Sequence, residues 1–573
     1  MHQEKSINGP HKVVIIGGVA GGMSAAARAR RLSEITEIVV FEKTGFVSFA
    51  NCGLPYYLGR EIQQESNLIL QTSASLKERF NLDVRIHNEV IEIDPEKKLV
   101  KVKNLITGQC YDETYDDLIL AVGAVPIKPD VPGAELEGLF TLRTIEDVQA
   151  IERWIEQHKP KTVVIAGGGF IGLEMAEQFV RRGLDVTLID SSEQVLAPLD
   201  AEMASLVQNE LRRHGIKLVL GSLVKQFSEP STYSGAQPKS CWVSAGVNAP
   251  IPADFVILGL GIRPDLTLAR KTGLQIGERG GITVNAQMQT NLDNIWAVGD
   301  AIEVRHPISQ KYTRIALGGP ANRQGRLVAD NIFGANETYN GTLGTAILRV
   351  FELTAGMTGL NEKDVKQANI PYEAVRLHPS NHAGYFPGAE RLDMKLLFHK
   401  STGELLGAQV VGKAGADKRL DILATALKAR MTASDLAELE LAYAPPFGSA
   451  KDPINLAGMI GRNLLENMFQ QVDPSEISGS SQHCLLDVRS KAEREKGCIP
   501  GSLHIPLPQL RKQLSELAKD TPIIVYCQSG QRSYYASRFL RQNGYQVRSL
   551  SGGYLSWEAR AAGSDRSPGL ACR

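Results

Sequence analysis

The chain has 573 residues, 43% of them hydrophobic and 22% charged, an ordinary globular balance that excludes wholesale disorder, collagen and coiled coil, while the length predicts three or four domains. Lysine plus arginine and aspartate plus glutamate both number 63, so the net charge is zero and global electrostatics gives no case for nucleic acid or an anionic membrane as partner. Seven cysteines make no disulfide framework and predict a reducing, cytoplasmic setting.

Met1 to Lys12 is polar, and the apolar run behind it, Val13 to Ile16, is short. A signal peptide needs a longer apolar core and a spanning helix about 20 residues, so neither is expected. Val13 to Ile16 reads as a strand, Ser24 to Leu32 as a helix and Glu37 to Phe41 as a second strand. Between the first strand and the helix lies a glycine turn, Gly17, Gly18, Gly21 and Gly22, with Val19 in the middle place of G-x-G-x-x-G and Ala20 beside it. Such a turn rests a pyrophosphate on a helix N-terminus, where free N–H groups and the helix dipole favour negative charge. Glycine lets the backbone approach the phosphate without a Cβ. An acid about 20 residues on takes a ribose hydroxyl, and Glu42, followed by Lys43, stands there.

The same grammar returns after Lys161. Val163 to Ala166 is a strand, Gly167, Gly169 and Gly172 complete the fingerprint around Phe170 and Ile171, Leu173 to Arg182 is a helix, and Val186 to Ile189 ends in Asp190. Two such units predict two dinucleotides side by side. Ser191 and Ser192 follow Asp190 with no lysine or arginine close by. A 2′-phosphate would be repelled by the carboxylate and would want a cation, so NADH is expected over NADPH. Between Ala346 and Asn467 no glycine fingerprint appears, and strands and helices mix. Gln470 to Gln482 is polar, with Pro474, Ser475, Ser478 and Gly479, and reads as a linker. Beyond it Cys484 to Val488 and Ile523 to Tyr526 are strands, each followed by helical sequence. No metal site is expected.

The two fingerprints, together with the run Thr290 to Asp300 that ends Ala297-Val298-Gly299-Asp300, resemble the two-dinucleotide flavoprotein disulfide reductases. The resemblance implies FAD on the first unit, the nicotinamide cofactor on the second, and Asp300 bonded to the FAD ribityl chain. Ala121-Val122-Gly123 and Gly259-Leu260-Gly261 resemble the segments closing each unit, which adds Ala121, Gly123 and Gly261 to the cofactor-binding candidates.

Glutathione-reductase-type members carry a close cysteine pair after the first unit. Here Ser48 to Tyr57 holds only Cys52. One flavin-facing thiol without a near neighbour must form a mixed disulfide with a substrate or a sulfenic acid. The string Ser48 to Pro55 resembles the coenzyme A–disulfide reductases, whose CoA contacts carry over onto Ser24, Arg28, Arg31, Ser48, Asn51, Asn322 and Lys451. Arginines suit the CoA phosphates, and Arg28 and Arg31 lie one helical turn apart. The runs Asn381 to Gly388 and Ala442 to Asp452 resemble that family's C-terminal motifs. The resemblance implies that Tyr385 and Tyr443 reach the cysteine site from a partner subunit, hence a homodimer. A phenol there could donate a proton to a departing thiolate.

Cys527-Gln528-Ser529-Gly530-Gln531-Arg532-Ser533 resembles the rhodanese active loop, supported by Leu486-Asp487-Val488-Arg489 and Gly497 to Pro506. A loop curled around a cysteine points successive N–H groups at the sulfur and stabilises a thiolate or persulfide. Cys498 stands where that family often has histidine. The implied fold is α/β: two Rossmann-like dinucleotide-binding domains, an α+β dimerisation domain and a C-terminal α/β rhodanese domain. The expected limits are 1–155 and 278–345 for the FAD domain, 156–277 for the NAD domain, 346–468 for dimerisation, 469–482 for the linker and 483–573 for the rhodanese domain.

The expected function is an NADH-dependent reductase of CoA persulfide, polysulfide or CoA disulfide. Cys52 is the redox thiol, and Cys527, with Arg532, handles sulfane sulfur. The alternative is an NADH oxidase or peroxidase cycling a sulfenic acid. Those relatives carry a histidine at the position of Ala20.

Overall fold

The computed structural model describes residues 11–229, 241–247, 249–477 and 483–563. It forms two compact units: the chain up to Ser191 with Gly221–Gly344, and Ser192–Leu220 with the chain from Thr345 on.

In the first unit five parallel strands run in the order Ile295–Ala297, Asp117–Leu120, Lys12–Ile16, Glu37–Phe41, Asp83–Arg85. Val13, Val14 and Ile15 in the middle strand are fully buried. A strand covered on both faces reads as an unbroken β-branched run rather than an alternation. The helices Ala20–Leu32 and Gly318–Ile332 pack together on one side. The second nucleotide unit repeats the plan: Thr162–Ala166 pairs in parallel with Asp185–Ile189 and Phe255–Leu258, and Phe255–Leu258 with Leu139–Phe140. Both helices begin earlier than their sequences predict, at Ala20 and Phe170 rather than Ser24 and Leu173. The last fingerprint glycines therefore form the first helical turn, where close contact with the strand outweighs glycine's poor helix propensity.

The second unit contains an antiparallel sheet ordered Ala346–Val350, Leu353–Gly359, Leu405–Gly412, Leu392–His399, Tyr372–Leu377. The helix Ala416–Lys428 covers it. It also contains a five-stranded parallel sheet ordered Gln471–Val472, Val547–Leu550, Ile523–Tyr526, Cys484–Asp487, Leu503–His504.

That order corrects the expected linker. Gln471–Val472 is an edge strand of the parallel sheet, and Phe469 and Val472 are buried. Gln471 Nε2 donates to the Ala374 carbonyl at 2.8 Å, and Asp473 pairs with Arg376 at 2.7 Å. A mostly polar composition hid two apolar anchors. Residues 478–482 of the expected linker lie outside the described residues. Arg376 also holds Glu202 and Glu362, and the fully buried Lys395 binds Asp200, Glu202 and Glu362. Two buried cations thus hold four carboxylates. Among the described residues no helix is long and apolar enough to cross a membrane.

Candidate active site

The first glycine turn is a cradle of bare backbone. A Cβ on Gly22 would lie 1.9 Å from the Gly17 carbonyl oxygen, so nothing larger than glycine fits there. Glu42 at the end of the Glu37–Phe41 strand accepts the N–H of Gly18 at 2.8 Å and the N–H of Thr44 at 2.9 Å. Its carboxylate is thereby fixed beside the turn. Lys43 reaches Asp265 at 3.3 Å. The carbonyl of Ala121 faces Gly17, and Val298 packs against Gly21, which places Asp300, two residues on, in the same neighbourhood. Asp300 pairs with Arg143 Nη2 at 2.9 Å. Nothing in the sequence around Arg143 marks it.

The second cradle repeats the first. A Cβ on Gly172 would lie 1.9 Å from the Gly167 carbonyl oxygen, and Asp190 Oδ2 accepts the Gly168 N–H at 2.6 Å. The Gly261 segment pairs antiparallel, through Ile262–Pro264, with Ala124–Pro126 just past Gly123.

Cys52 lies in a short helical turn, Asn51–Gly53, that leads directly into Leu54–Leu58. It is exposed, and its S–H donates to Asn51 Oδ1 at 3.6 Å. The approach is pinned: the Ser48 N–H bonds the Gly18 carbonyl at 2.8 Å, and the Ser48 carbonyl accepts from Leu70 at 3.0 Å. Ser48 itself has φ +47°, a conformation that costs a non-glycine residue energy and persists only where the surroundings impose it. Desolvation by the wall around it pushes the Cys52 thiol above the ordinary cysteine value. Glu174 adds to the shift, Arg143 opposes it and Asp300 adds a little more. Glu174, on the Phe170–Arg181 helix, accepts from the Tyr56 hydroxyl at 3.3 Å. Sequence reasoning missed it because its effect is through space.

Of the CoA candidates in this unit, Ser24 donates to Asn322 at 2.6 Å across the two packed helices. Arg28 is held by Asp330 at 2.6 Å. Arg31 is exposed, so it is the cation of the pair left for a ligand. Cys110 is exposed on the strand Cys110–Thr114.

In the second unit the structure brings Tyr385 and Tyr443 together, hydroxyl to hydroxyl at 3.2 Å. That bond raises the Tyr385 pKa. Tyr385 and Phe447 are 77% and 72% exposed, an aromatic surface without a cover in the single chain. Lys451 is exposed one residue before Asp452, which caps the Pro453–Leu465 helix.

Cys527 directly follows the Ile523–Tyr526 strand and is fully buried. Of the N–H groups expected to point at its sulfur, that of Gly530 does so at 3.2 Å. The loop is clamped from behind. The Tyr554 and Leu555 N–H groups donate to the Cys527 and Gln528 carbonyls at 2.8 and 3.0 Å. Arg489 Nη1 bonds Gln528 Oε1 at 3.1 Å while Nε and Nη2 hold Asp487. Arg532 is gripped by Glu493, 2.7 Å from Nη1 to Oε2 and 2.5 Å from Nη2 to Oε1.

One further cluster, Glu210, His214 and Glu352, gathers ligand atoms within 4.8 Å. Arg213 already sits on Glu352 at 2.7 Å and near Glu210 at 3.5 Å, which supplies the positive charge a metal would bring.

Residues 11–325 match the family described as pyridine nucleotide-disulphide oxidoreductase, and 345–452 match its dimerisation domain. The chain belongs to the pyridine nucleotide-disulphide oxidoreductases. Residues 470–560 of this oxidoreductase match the rhodanese-like domain. It is 33% identical, over 79% of its length and all of the relative's, to the coenzyme A disulfide reductase of Staphylococcus haemolyticus. The reduced CoADR-RHD of Bacillus anthracis superposes with TM-score 0.93 at 44% identity, covering 96% of this chain and 98% of that one. An NAD-dependent persulfide reductase from A. fulgidus gives 0.88 at 36% identity, over 95% and 100%.

The fold is thus the expected α/β assembly of nucleotide-binding, dimerisation and rhodanese domains, and the chain is an enzyme that uses FAD and NAD(H). The residues fit both dinucleotides. Each cradle admits only glycine at its last fingerprint position, which starts the helix on which a pyrophosphate would rest, and each has a carboxylate fixed beside the turn.

Proposed function

We propose that this oxidoreductase uses NADH to reduce CoA persulfide, polysulfide or CoA disulfide through Cys52, with Cys527 accepting or delivering sulfane sulfur. The observation that carries the reading is the lone, exposed Cys52 at the end of a segment pinned to the first glycine turn in a chain that also holds a formed sulfurtransferase loop around Cys527. Likeness to the CoADR-RHD of Bacillus anthracis and to the persulfide reductase from A. fulgidus supports the same reading.

In this reading Gly17, Gly18, Ala20, Gly21, Gly22, Glu42, Lys43, Ala121, Gly123 and Asp300 hold FAD. Gly167, Gly169, Phe170, Ile171, Gly172, Asp190 and Gly261 hold NADH. Ser24, Arg28, Arg31, Ser48, Asn51, Asn322 and Lys451 hold CoA. Arg28 contributes only through its pair with Asp330 unless CoA displaces that carboxylate. With CoA persulfide or CoA disulfide, the Cys52 thiolate attacks the CoA-bound sulfur. The S–S bond breaks, Cys52 becomes a mixed disulfide with CoA, and the electron pair leaves with hydrosulfide from a persulfide, or with CoA thiolate from a disulfide. When bound, FAD supplies the electron pair from NADH that returns Cys52 to the thiolate. Arg143 and Glu174 set the charge around that thiolate in opposite directions. Tyr385 and Tyr443 share one proton donor–acceptor pair suited to protonating the leaving thiolate.

The dimerisation domain and the uncovered aromatic surface support a homodimer in which these tyrosines serve the partner's thiol. A cytoplasmic setting suits the five free cysteines among the six of the described residues, Cys498 being disulfide-bonded.

Anaerobic NADH consumption with CoA persulfide, polysulfide and CoA disulfide, with sulfide release followed in parallel, tests the reading on wild type, Cys52→Ser and Cys527→Ser. Turnover should vanish with Cys52→Ser and become donor-dependent with Cys527→Ser. Full turnover by Cys52→Ser refutes it.

A further inference from the structure

Arg532 closes the sulfurtransferase loop and is its one side-chain cation. A guanidinium at that place is a ready anchor for an anionic sulfur donor, because its terminal nitrogens match two oxygens of a sulfonate as well as those of a carboxylate. Here each terminal nitrogen gives one N–H to Glu493, and the guanidinium also faces the Cys527 thiol. Glu493 is held in turn from its own side: the Ser490 N–H and hydroxyl both donate to Oε2 at 2.9 Å. This closes the capping box of the helix Lys491–Glu495. The carboxylate is therefore placed by its helix and does not merely follow the arginine. Its bond to Arg532 pulls its pKa down to about 2, so it stays ionised at neutral pH. Arg532 and Glu493 remain 34% and 29% exposed, so the pair stands at the mouth of the loop, while Cys527 is buried beneath.

We infer that Glu493 is a specificity determinant of the Cys527 loop: it occupies the anion-binding face of Arg532 and selects alkyl persulfides over dianionic donors such as thiosulfate. The inference rests on the reading of Cys527 as the sulfur-carrying thiol. With thiosulfate, the Cys527 thiolate attacks the outer sulfur, the sulfur–sulfur bond breaks, and sulfite leaves with the electron pair. The two charges of that donor and of its leaving group fall beside the Glu493 carboxylate. With an alkyl persulfide, R–S–SH, the same attack gives Cys527–S–SH and R–S⁻, and the reacting group brings at most one charge. A like charge a few ångströms away in a half-exposed site disfavours the dianion by ~10-fold or more.

The test uses the full-length holoenzyme, with cyanide as sulfur acceptor and thiocyanate as readout, and with thiosulfate or glutathione persulfide as donor. Glu493→Gln keeps an oxygen to accept from Ser490 and so keeps the helix cap, but it loses the charge. The expected result is a fall of ~10-fold or more in KM for thiosulfate, a much smaller change for glutathione persulfide, and new competitive inhibition by sulfate. Ser490→Ala, which removes one of the bonds to Glu493 but keeps its charge and its pair with Arg532, should leave the ratio of the two donors where it was. An unchanged donor ratio in Glu493→Gln, or an equal loss with both donors, overturns the inference and makes Glu493 a merely structural clamp. Thiocyanate formation that survives Cys527→Ser overturns instead the reading on which it rests.

Discussion

Asp190 gives the sharpest test of how the second cradle chooses its cofactor. Its carboxylate is fixed at 2.6 Å on the Gly168 N–H, where an adenosine ribose would lie against the start of the helix. The next residue, Ser191, is exposed and leaves room for a long side chain. Two unit charges about 4 Å apart cost or gain about 1 kcal/mol in water and about 4 at a typical protein surface. A 2′-phosphate carries nearly two charges, and the site is open. Removing the Asp190 repulsion is therefore worth about 2 kcal/mol to NADPH, and an arginine next to it about 1 more. Asp190→Ala combined with Ser191→Arg should swing the NADPH-to-NADH ratio of kcat/KM by ~100-fold or more, since each 1.4 kcal/mol is tenfold. Part of that swing is lost NADH activity, because a charge-assisted bond to the ribose disappears. Steady-state rates with both cofactors on flavin-replete protein measure it. A ratio within threefold of wild type would refute the assignment of Asp190.

Gly22→Ala and Gly172→Ala meet the same 1.9 Å clash with a carbonyl oxygen, an overpacking cost of about 1–3 kcal/mol. The first should purify with little flavin. The second should keep its yellow colour while KM for NADH rises, and both effects are read from the absorption spectrum and a rate titration. Glu174→Gln removes a charge that penalises the Cys52 thiolate. The thiolate fraction rises with pH, so the alkylation profile of Cys52 should move to lower pH by ~0.5 to 1 unit, and a shift to higher pH would contradict the assignment. Arg376→Met leaves Asp473 without its cation and Glu202 and Glu362 on Lys395 alone, and should cost about 3–5 kcal/mol in thermal unfolding. Burial would raise the Asp473 pKa, but Arg376 and the Ser475 hydrogen bonds outweigh it and hold the carboxyl below its ordinary value. Its contribution is complete above pH ~4 and drains as pH falls below that, so proteolysis between Phe469 and Cys484 should accelerate in acid.

What the sequence made legible was whatever is written in consecutive residues. The runs Val13 to Ile16 and Val163 to Ala166 announced buried parallel strands, and the glycine turns and their terminal acids announced the cradles. Cys52 and Cys527 stood out by their neighbours in the chain. What stayed hidden depends on distant residues meeting. Asp330 meets Arg28 from 302 positions away, Arg143 meets Asp300 across 157, and Glu493 meets Arg532 across 39. Each is an ordinary charged residue in its own context. The linker reading failed differently. Polar composition is a fair sign of a loop, but Phe469 and Val472 are enough to seat a two-residue edge strand, and composition averages them away.

The edge strand Gln471–Val472 decides where this chain can be cut. A fragment beginning at Cys484 would look complete by its motifs, yet it would lack the strand that covers Val547–Leu550. It would leave a row of unpaired backbone groups as a template for self-association. It would also abandon the Ser549 and Ser551 N–H groups, which donate to Gln470 and Val472 at 2.8 and 3.0 Å. The natural seam for excising the sulfurtransferase module, or for grafting another in its place, lies before Phe469. A graft joined there keeps Arg376 on the host side and must bring its own carboxylate to the place of Asp473 to remake the latch.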